Sequence, residues 1–258
     1  WTSLSFASSV TRIGREAERS LARADPTTAL VGEQPHAIDE WQDVPSIWDE
    51  VRYRIDETGN RSGQFILTGS SKPNKDRLQH SGAGRIATYR MSTMTLVETG
   101  ESSGAISLAG LFGGRFDPQL AHQRLEPYAR MICRGGWPAL RSRATGTGDY
   151  VSSYLDALFA TSITRRGLDG RVARRVAQSL ARNSGKAVKF STVAADAGIS
   201  GASPKASASV ASSYVSELVR LYVVDEVGGW DAPIRSRSRL RTKPKRYFAD
   251  SSLAVSLL

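Results

Sequence analysis

The fold class the sequence predicts is a parallel α/β sheet followed by a mostly helical domain that ends in a winged helix-turn-helix. Three observations predict it. Helix and strand patterns alternate up to about residue 117, strand signals then fade into helical periodicity, and the last third holds a helix, a tight turn, a longer helix and two apolar segments around a basic loop. Alternation of this kind builds a parallel sheet covered by helices, and helix, turn, helix and two-stranded wing make a winged helix. The expected domains are 1–117 and 118–258, with the winged helix at about 187–250.

Taken in order, Leu4 to Val10 has the apolar spacing of a helix, and Thr11 to Ile13 follows as a short strand. Pro35-His36-Ala37-Ile38-Asp39-Glu40 is an apolar run closed by two adjacent carboxylates. Trp41 to Glu57 carries Val44, Ile47, Trp48, Val51 and Ile55 at the three-and-four spacing of an amphipathic helix. Gly59 to Gly63 breaks that helix, and Gln64 to Leu67 reads as a short buried strand. A polar loop, Ser70 to Gly84, leads to a further strand at Ile86 to Met91, and Gly100 to Gly114 is a turn-rich exit.

Beyond residue 118, Leu120 to Cys133 and Tyr150 to Ile163 have helical periodicity, separated by Gly135-Gly136-Trp137-Pro138 and Thr145-Gly146-Thr147-Gly148. Gly170 to Asn183 is a basic helix, with Val172, Val176 and Leu180 inward and Arg171, Arg174 and Arg175 outward. Ser191 to Ala197 and Ala206 to Leu221 form the helix-turn-helix, the second with Val210, Tyr214, Leu218 and Leu221 on its buried face. Tyr222-Val223-Val224 and Lys245-Arg246-Tyr247-Phe248 would be the wing strands.

A chain of 258 residues holds two ordinary domains. Its 40% hydrophobic and 23% charged content is that of a soluble globular protein. No apolar run is long enough to span a bilayer, and no signal-peptide pattern opens the sequence, so a cytoplasmic setting without membrane contact is the expectation. The one cysteine, Cys133, excludes an internal disulfide and is expected to be a buried or neutral thiol. His36, His80 and His122 are too scattered for a structural zinc cluster. The net charge of +10 and pI near 10.0 point to an acidic partner, nucleic acid first and nucleotide phosphate second. A solubility bias, or a surface that meets another protein, remains the alternative.

Asp39 and Glu40 are the residues from which chemistry is expected. At a strand end, an Asp can hold the hydration shell of Mg²⁺ and a Glu can polarise an attacking water. Phe65-Ile66-Leu67-Thr68-Gly69-Ser70-Ser71 is a second strand ending in small polar residues, placed to sense a γ-phosphate. The other reading of Asp39 and Glu40 is a helix start whose carboxylates complement the dipole. A G-x-x-x-x-G-K-[ST] phosphate loop, the usual companion of such strands, does not occur in the sequence, and Ser184-Gly185-Lys186-Ala187 does not meet its spacing. The chain opens on Trp1, and the expectation is that it begins just past a phosphate loop.

Ile38-Asp39-Glu40-Trp41-Gln42-Asp43-Val44-Pro45, Phe65 to Ser71, Gly84-Arg85, Gly135-Gly136-Trp137-Pro138 and Pro244-Lys245-Arg246-Tyr247-Phe248-Ala249-Asp250 follow one another over nearly the whole chain. In this order they resemble the prokaryotic AAA+-type ATPases, phosphate-loop NTPases whose ATPase core precedes an uncharacterised helical and winged-helix domain. The resemblance implies ATP and Mg²⁺ as cofactors, Asp39 and Glu40 as a Walker B pair, and Thr68 to Ser70 as a sensor. It also implies Arg85 as an arginine reaching a nucleotide phosphate in its own site or a neighbour's, as in a homo-oligomer; the other reading of Arg85 is an exposed strand-start side chain. Family members usually continue into a nuclease-like segment, and no residue here is assigned to one.

The expected function is therefore an ATPase that couples nucleotide state to the winged helix. The alternative is a non-enzymatic DNA- or protein-binding winged helix beside a degenerate ATPase-like domain. Its nucleic-acid contacts would come from Arg235, Arg237, Arg239, Arg241, Lys243, Lys245 and Arg246 in the wing, which would meet phosphates. The longer helix offers only serines, with Lys205 and Arg220 at its ends, so it has nothing suited to reading base edges.

Overall fold

The computed structural model describes residues 4–71, 82–116, 125–141, 147–229 and 243–258. The chain divides into two compact units, Trp1–Arg90 and Met91–Leu258.

The first unit is built on three parallel strands, β1 (Ser9–Arg12), β2 (His36–Asp39) and β3 (Phe65–Thr68), in the order β1-β2-β3. Helix α1 (Glu16–Ala24) connects the first two, and α2 (Ser46–Glu57) connects the second and third. The central strand is buried on both faces, His36, Ala37 and Ile38 being almost wholly inaccessible, as expected of a strand flanked by parallel neighbours. Around it Ile13, Ala22, Leu30, Trp41, Val44, Ile47, Val51 and Ile55 form the core. Trp41 and Trp48 stack with ring centroids 5.0 Å apart and close the start of α2.

The N-terminal helix expected from Leu4 to Val10 shrinks to a 3₁₀ turn at Leu4–Phe6, because Ser9 and Val10 are already paired with β2. Ile86 to Met91 is not a strand. Ile86 packs on the core, but Tyr89 and Met91 are exposed and make no ladder.

The second unit contains α3 (Leu108–Phe112), α4 (Leu125–Arg134), α5 (Thr147–Ala157), α6 (Gly170–Arg182), α7 (Phe190–Asp196), α8 (Pro204–Arg220), the antiparallel pair β4 (Val224–Val227) and β5 (Lys245–Phe248), and α9 (Ser251–Leu257). Helix α5 runs directly into a π-helical turn at Leu158–Ile163. The core of this unit gathers Leu140, Val151, Leu155, Ile163, Val176, Leu180, Val193, Val215, Leu218, Val223 and Leu253, chiefly from α5 to α9.

Two of the sequence motifs meet in this unit. The Gly136 amide donates to Asp250 Oδ2 at 2.8 Å, and Trp137 Nε1 donates to Ser252 Oγ at 2.8 Å. Asp250 also caps α9, accepting from the Ser252 amide at 2.9 Å and hydroxyl at 2.6 Å. Gly135 and Gly136 have to be glycine: a Cβ on the first would enter the Asp250 carboxyl, and one on the second would strike the Met94 backbone. Helix α8 turns Ala211, Tyr214, Val215 and Leu218 inward, so Tyr214 and Leu218 lie on the buried face as expected, whereas Val210 is exposed and Leu221 is only partly buried.

Candidate functional site

The register of the sheet brings the expected residues together. Asp39, the last residue of β2, lies beside Arg12 on one side and Thr68 on the other. All three stand at the carboxyl ends of parallel strands, where open α/β sheets bind their ligands. Thr68 Oγ1 donates to Asp39 Oδ1 at 2.6 Å. Asp39 Oδ2 accepts no hydrogen bond among the described residues.

Glu40 leaves the strand in a left-handed conformation, φ 58° and ψ 36°, which costs a non-glycine residue about 1–3 kcal/mol. Its side chain does not cap the 3₁₀ turn Trp41–Asp43 that follows. It turns sideways, and Oε2 accepts from the Ser70 hydroxyl at 2.9 Å and from the Gln42 amide. Gln42 Nε2 also reaches Ser70 Oγ at 3.4 Å. Thr68 thus holds one carboxylate, while Ser70 and Gln42 hold the other, and Asp39 Oδ2 and Glu40 Oε1 accept no hydrogen bond among the described residues.

Sequence reasoning gave Gln42 no role, although it lies within the Ile38-to-Pro45 motif. The sequence held no signal for it, because the contact depends on the left-handed turn at Glu40.

His36, at the start of β2, is a buried framework residue. Its Nε2 donates to the Ala29 carbonyl at 3.0 Å, with the Thr11 hydroxyl also at 3.0 Å, and its Nδ1 faces the Ser9 hydroxyl at 2.6 Å. Burial pulls its pKa below the ordinary imidazole value, opposed by the Ala29 carbonyl, and keeps the ring neutral.

Arg85 is not brought to these carboxylates. Its Nε lies 2.8 Å from Asp56 Oδ1, near the end of α2. Asp56 is ten residues beyond Ser46, or roughly 15 Å along the helix from the end that adjoins the site. Among the described residues, no group of three His, Cys, Asp or Glu is placed to hold a metal ion. Cys133, expected to be buried or neutral, is exposed.

In the second unit, Lys243 and Lys245 are exposed, while Arg235, Arg237, Arg239 and Arg241 lie outside the described residues. Arg246 corrects the expectation of a phosphate contact. It is 4% exposed, its Nη2 is 2.7 Å from Glu226 Oε1, its Nη1 donates to the Val188 carbonyl at 3.2 Å, and its guanidinium lies 4.5 Å over the Phe190 ring. The residue is an internal clamp.

Residues 125–258, just over half of the chain, match the family described as a domain of unknown function, DUF8612. The chain belongs to the DUF8612 family. In this DUF8612 protein, residues 7–100 match a second model, described as an AAA domain. That match covers all three parallel strands and marks the N-terminal part, at family level, as a nucleotide-binding ATPase domain of the AAA type. No curated protein and no solved structure matches the DUF8612 chain. No described helix is long and apolar enough to cross a membrane.

Proposed function

We propose that the AAA domain binds and hydrolyses ATP with Mg²⁺ at the carboxyl edge of β1-β2-β3, with Asp39 and Glu40 as its working carboxylates. The observation that carries this reading is the pair of strand-crossing hydrogen bonds, Thr68 to Asp39 and Ser70 to Glu40. Each leaves one carboxylate oxygen unengaged among the described residues. The donor set suits Mg²⁺, which is usually held by one or two carboxylates, water and substrate phosphates and not by an all-protein cage. When bound, MgATP supplies the γ-phosphoryl group and the cation that neutralises it.

The residues of the chain divide the remaining work. Asp39, its other oxygen fixed by Thr68, orients metal-bound water through Oδ2. Glu40 polarises the attacking water through Oε1, in a direction set by its left-handed backbone and by Ser70 and Gln42. Thr68 and Ser70 sense the γ-phosphate, because each hydroxyl already bonds the carboxylate that would face it. Arg85, held by Asp56 at the far end of α2, belongs to this reading only as a residue reaching the site of a neighbouring subunit in a homo-oligomer. Nucleotide state is coupled to a winged helix made by α7 and α8 with β4 and β5, an assignment supported by the element order and the antiparallel pair.

The test is MgATP turnover by the full gene product, wild type against Glu40→Gln. The expected result is ATP bound without turnover in the variant. Unchanged turnover removes Glu40 from the mechanism.

A further inference from the structure

The +10 net charge is not shared between the two units. Residues 1–90 contain 12 Lys and Arg against 12 Asp and Glu, whereas residues 91–258 contain 23 against 13, so the whole excess belongs to the second unit. Its densest described cluster is not in the wing. Arg165 and Arg166 lie in the 3₁₀ turn Thr164–Arg166 that follows the π-helical one, and Arg171, Arg174 and Arg175 follow on the first turns of α6.

The last three are spaced i, i+3 and i+4 and therefore share one helix face. With Phe159, Ala160 and Thr164 they line an open cleft of about 640 Å³ between the π-helical turn and the start of α6. π-Helical turns of this kind are frequent at functional sites. This one is packed against α6 at Gly170, where any Cβ would enter the Phe159 carbonyl. The cleft is thus a fixed feature of two helices in backbone contact.

The guanidiniums are presented in different ways. Arg174 lies 4.9 Å over the Phe159 ring, which orients its planar fork, and pairs with Asp156. The Asp156 side chain is 70% exposed, so that solvent-screened pair contributes little and a phosphate can displace it. Arg171 is 94% exposed at the side chain and stands 4.0 Å from Asp169. Asp169 itself is occupied as the α6 cap, accepting from the Arg171 and Val172 amides. Those bonds, and then the charges of Arg171 and Arg175, hold its carboxyl below the usual range. Arg175 is exposed. With two amides already capped, the cleft offers an anion its side-chain cations and not the helix end.

We propose that this arginine cleft is a binding surface for the phosphodiester backbone of a nucleic acid. Three guanidiniums on one rigid face match a run of phosphates, and contacts to phosphate carry no sequence information. The assignment does not depend on the nucleotide reading of the AAA domain, since it rests on residues of the second unit alone.

The test is a salt titration of binding to a labelled mixed-sequence DNA duplex, with a single-stranded RNA of the same length as a second arm. The proteins compared are wild type, Arg171→Gln/Arg175→Gln, and Lys243→Gln/Lys245→Gln. Both arginines of the first variant are exposed, so its fold survives, and circular dichroism checks this. The expected result is that the arginine variant binds about tenfold or more weakly, with the log–log salt slope reduced by about 1 per lost phosphate contact. The lysine variant should retain most of the affinity. Loss in the DNA arm or in both arms supports the cleft and identifies the backbone it takes. Absence of wild-type binding at 50 mM salt (about the low end of the usual range), an unchanged arginine variant, or a loss confined to the lysine variant overturns it.

Discussion

Thr68 Oγ1 lies 2.6 Å from Asp39 Oδ1, between residues that the β2–β3 register already sets side by side. The pairing of two strands thereby fixes the orientation of a carboxylate at their shared end. Thr68→Val keeps the shape and removes the donor. A hydrogen bond to a charged group contributes about 1.5–3 kcal/mol, so thermal unfolding should shift down, and the loss of carboxylate orientation should lower ATP turnover by roughly tenfold to hundredfold. Thr68→Ser should restore most of it.

Glu40 stores backbone strain that a residue tolerant of the left-handed region would release. Glu40→Asn should leave the fold as stable as wild type or more so, by up to about 1 kcal/mol, while abolishing turnover. Glu40→Val, β-branched at φ 58°, should destabilise by about 1–3 kcal/mol. Denaturant titration of the three proteins separates strain from chemistry.

Asp250 joins the Gly136 amide to the start of α9. Asp250→Ala leaves that amide without its acceptor and α9 without its cap, and should cost about 2–4 kcal/mol. Gly136→Ala should be comparably damaging, because its Cβ meets backbone and not a movable side chain. Differential scanning calorimetry should show both losses in the transition of the second unit, with the first unit unchanged.

His36 makes the first unit sensitive to acid. Its pKa in the fold is lowered from 6.5, chiefly by burial. Below 6.5 the unfolded chain takes up a proton that the native ring resists. The stabilising contribution is therefore complete above that pH and declines as pH falls towards the folded value. Denaturation midpoints at pH 7.5 and 5.5 (about one unit either side of the ordinary value) should fall in the wild type and fall less in His36→Gln.

Much of this architecture was legible in the sequence where burial and period agree. His36-Ala37-Ile38 and Phe65-Ile66-Leu67 are apolar runs bounded by turns, and both are strands. Ile86 to Met91 has the composition of a strand but no neighbour to pair with among the described residues, and strand preference without a neighbour does not make a ladder. On α8 the inward place went to Ala211 and not Val210, because a small residue lets the helix approach its partners closely, a choice apolar counting does not see.

Of the candidate site, the carboxylate pair and the Thr68–Ser70 strand end stood in the sequence. The left-handed turn at Glu40 did not, nor did the part Gln42 takes, since both depend on a backbone angle. Arg85 reads as an arginine reaching a nucleotide phosphate and Arg246 as a wing residue meeting nucleic-acid phosphates, and their ion pairs with Asp56 and Glu226 appear only in the fold.

The clamp at Arg246 has a mechanical consequence. Its guanidinium joins β5 to Glu226 on β4, to the Val188 carbonyl and to the Phe190 ring at the start of α7, and the Gly185 amide donates to its carbonyl at 2.7 Å. Peeling the ribbon from α7 would keep the Glu226 pair but break the Val188 hydrogen bond and the Phe190 contact, at a cost of about 1–3 kcal/mol. The paired strands and the start of α7 are therefore tied to move together.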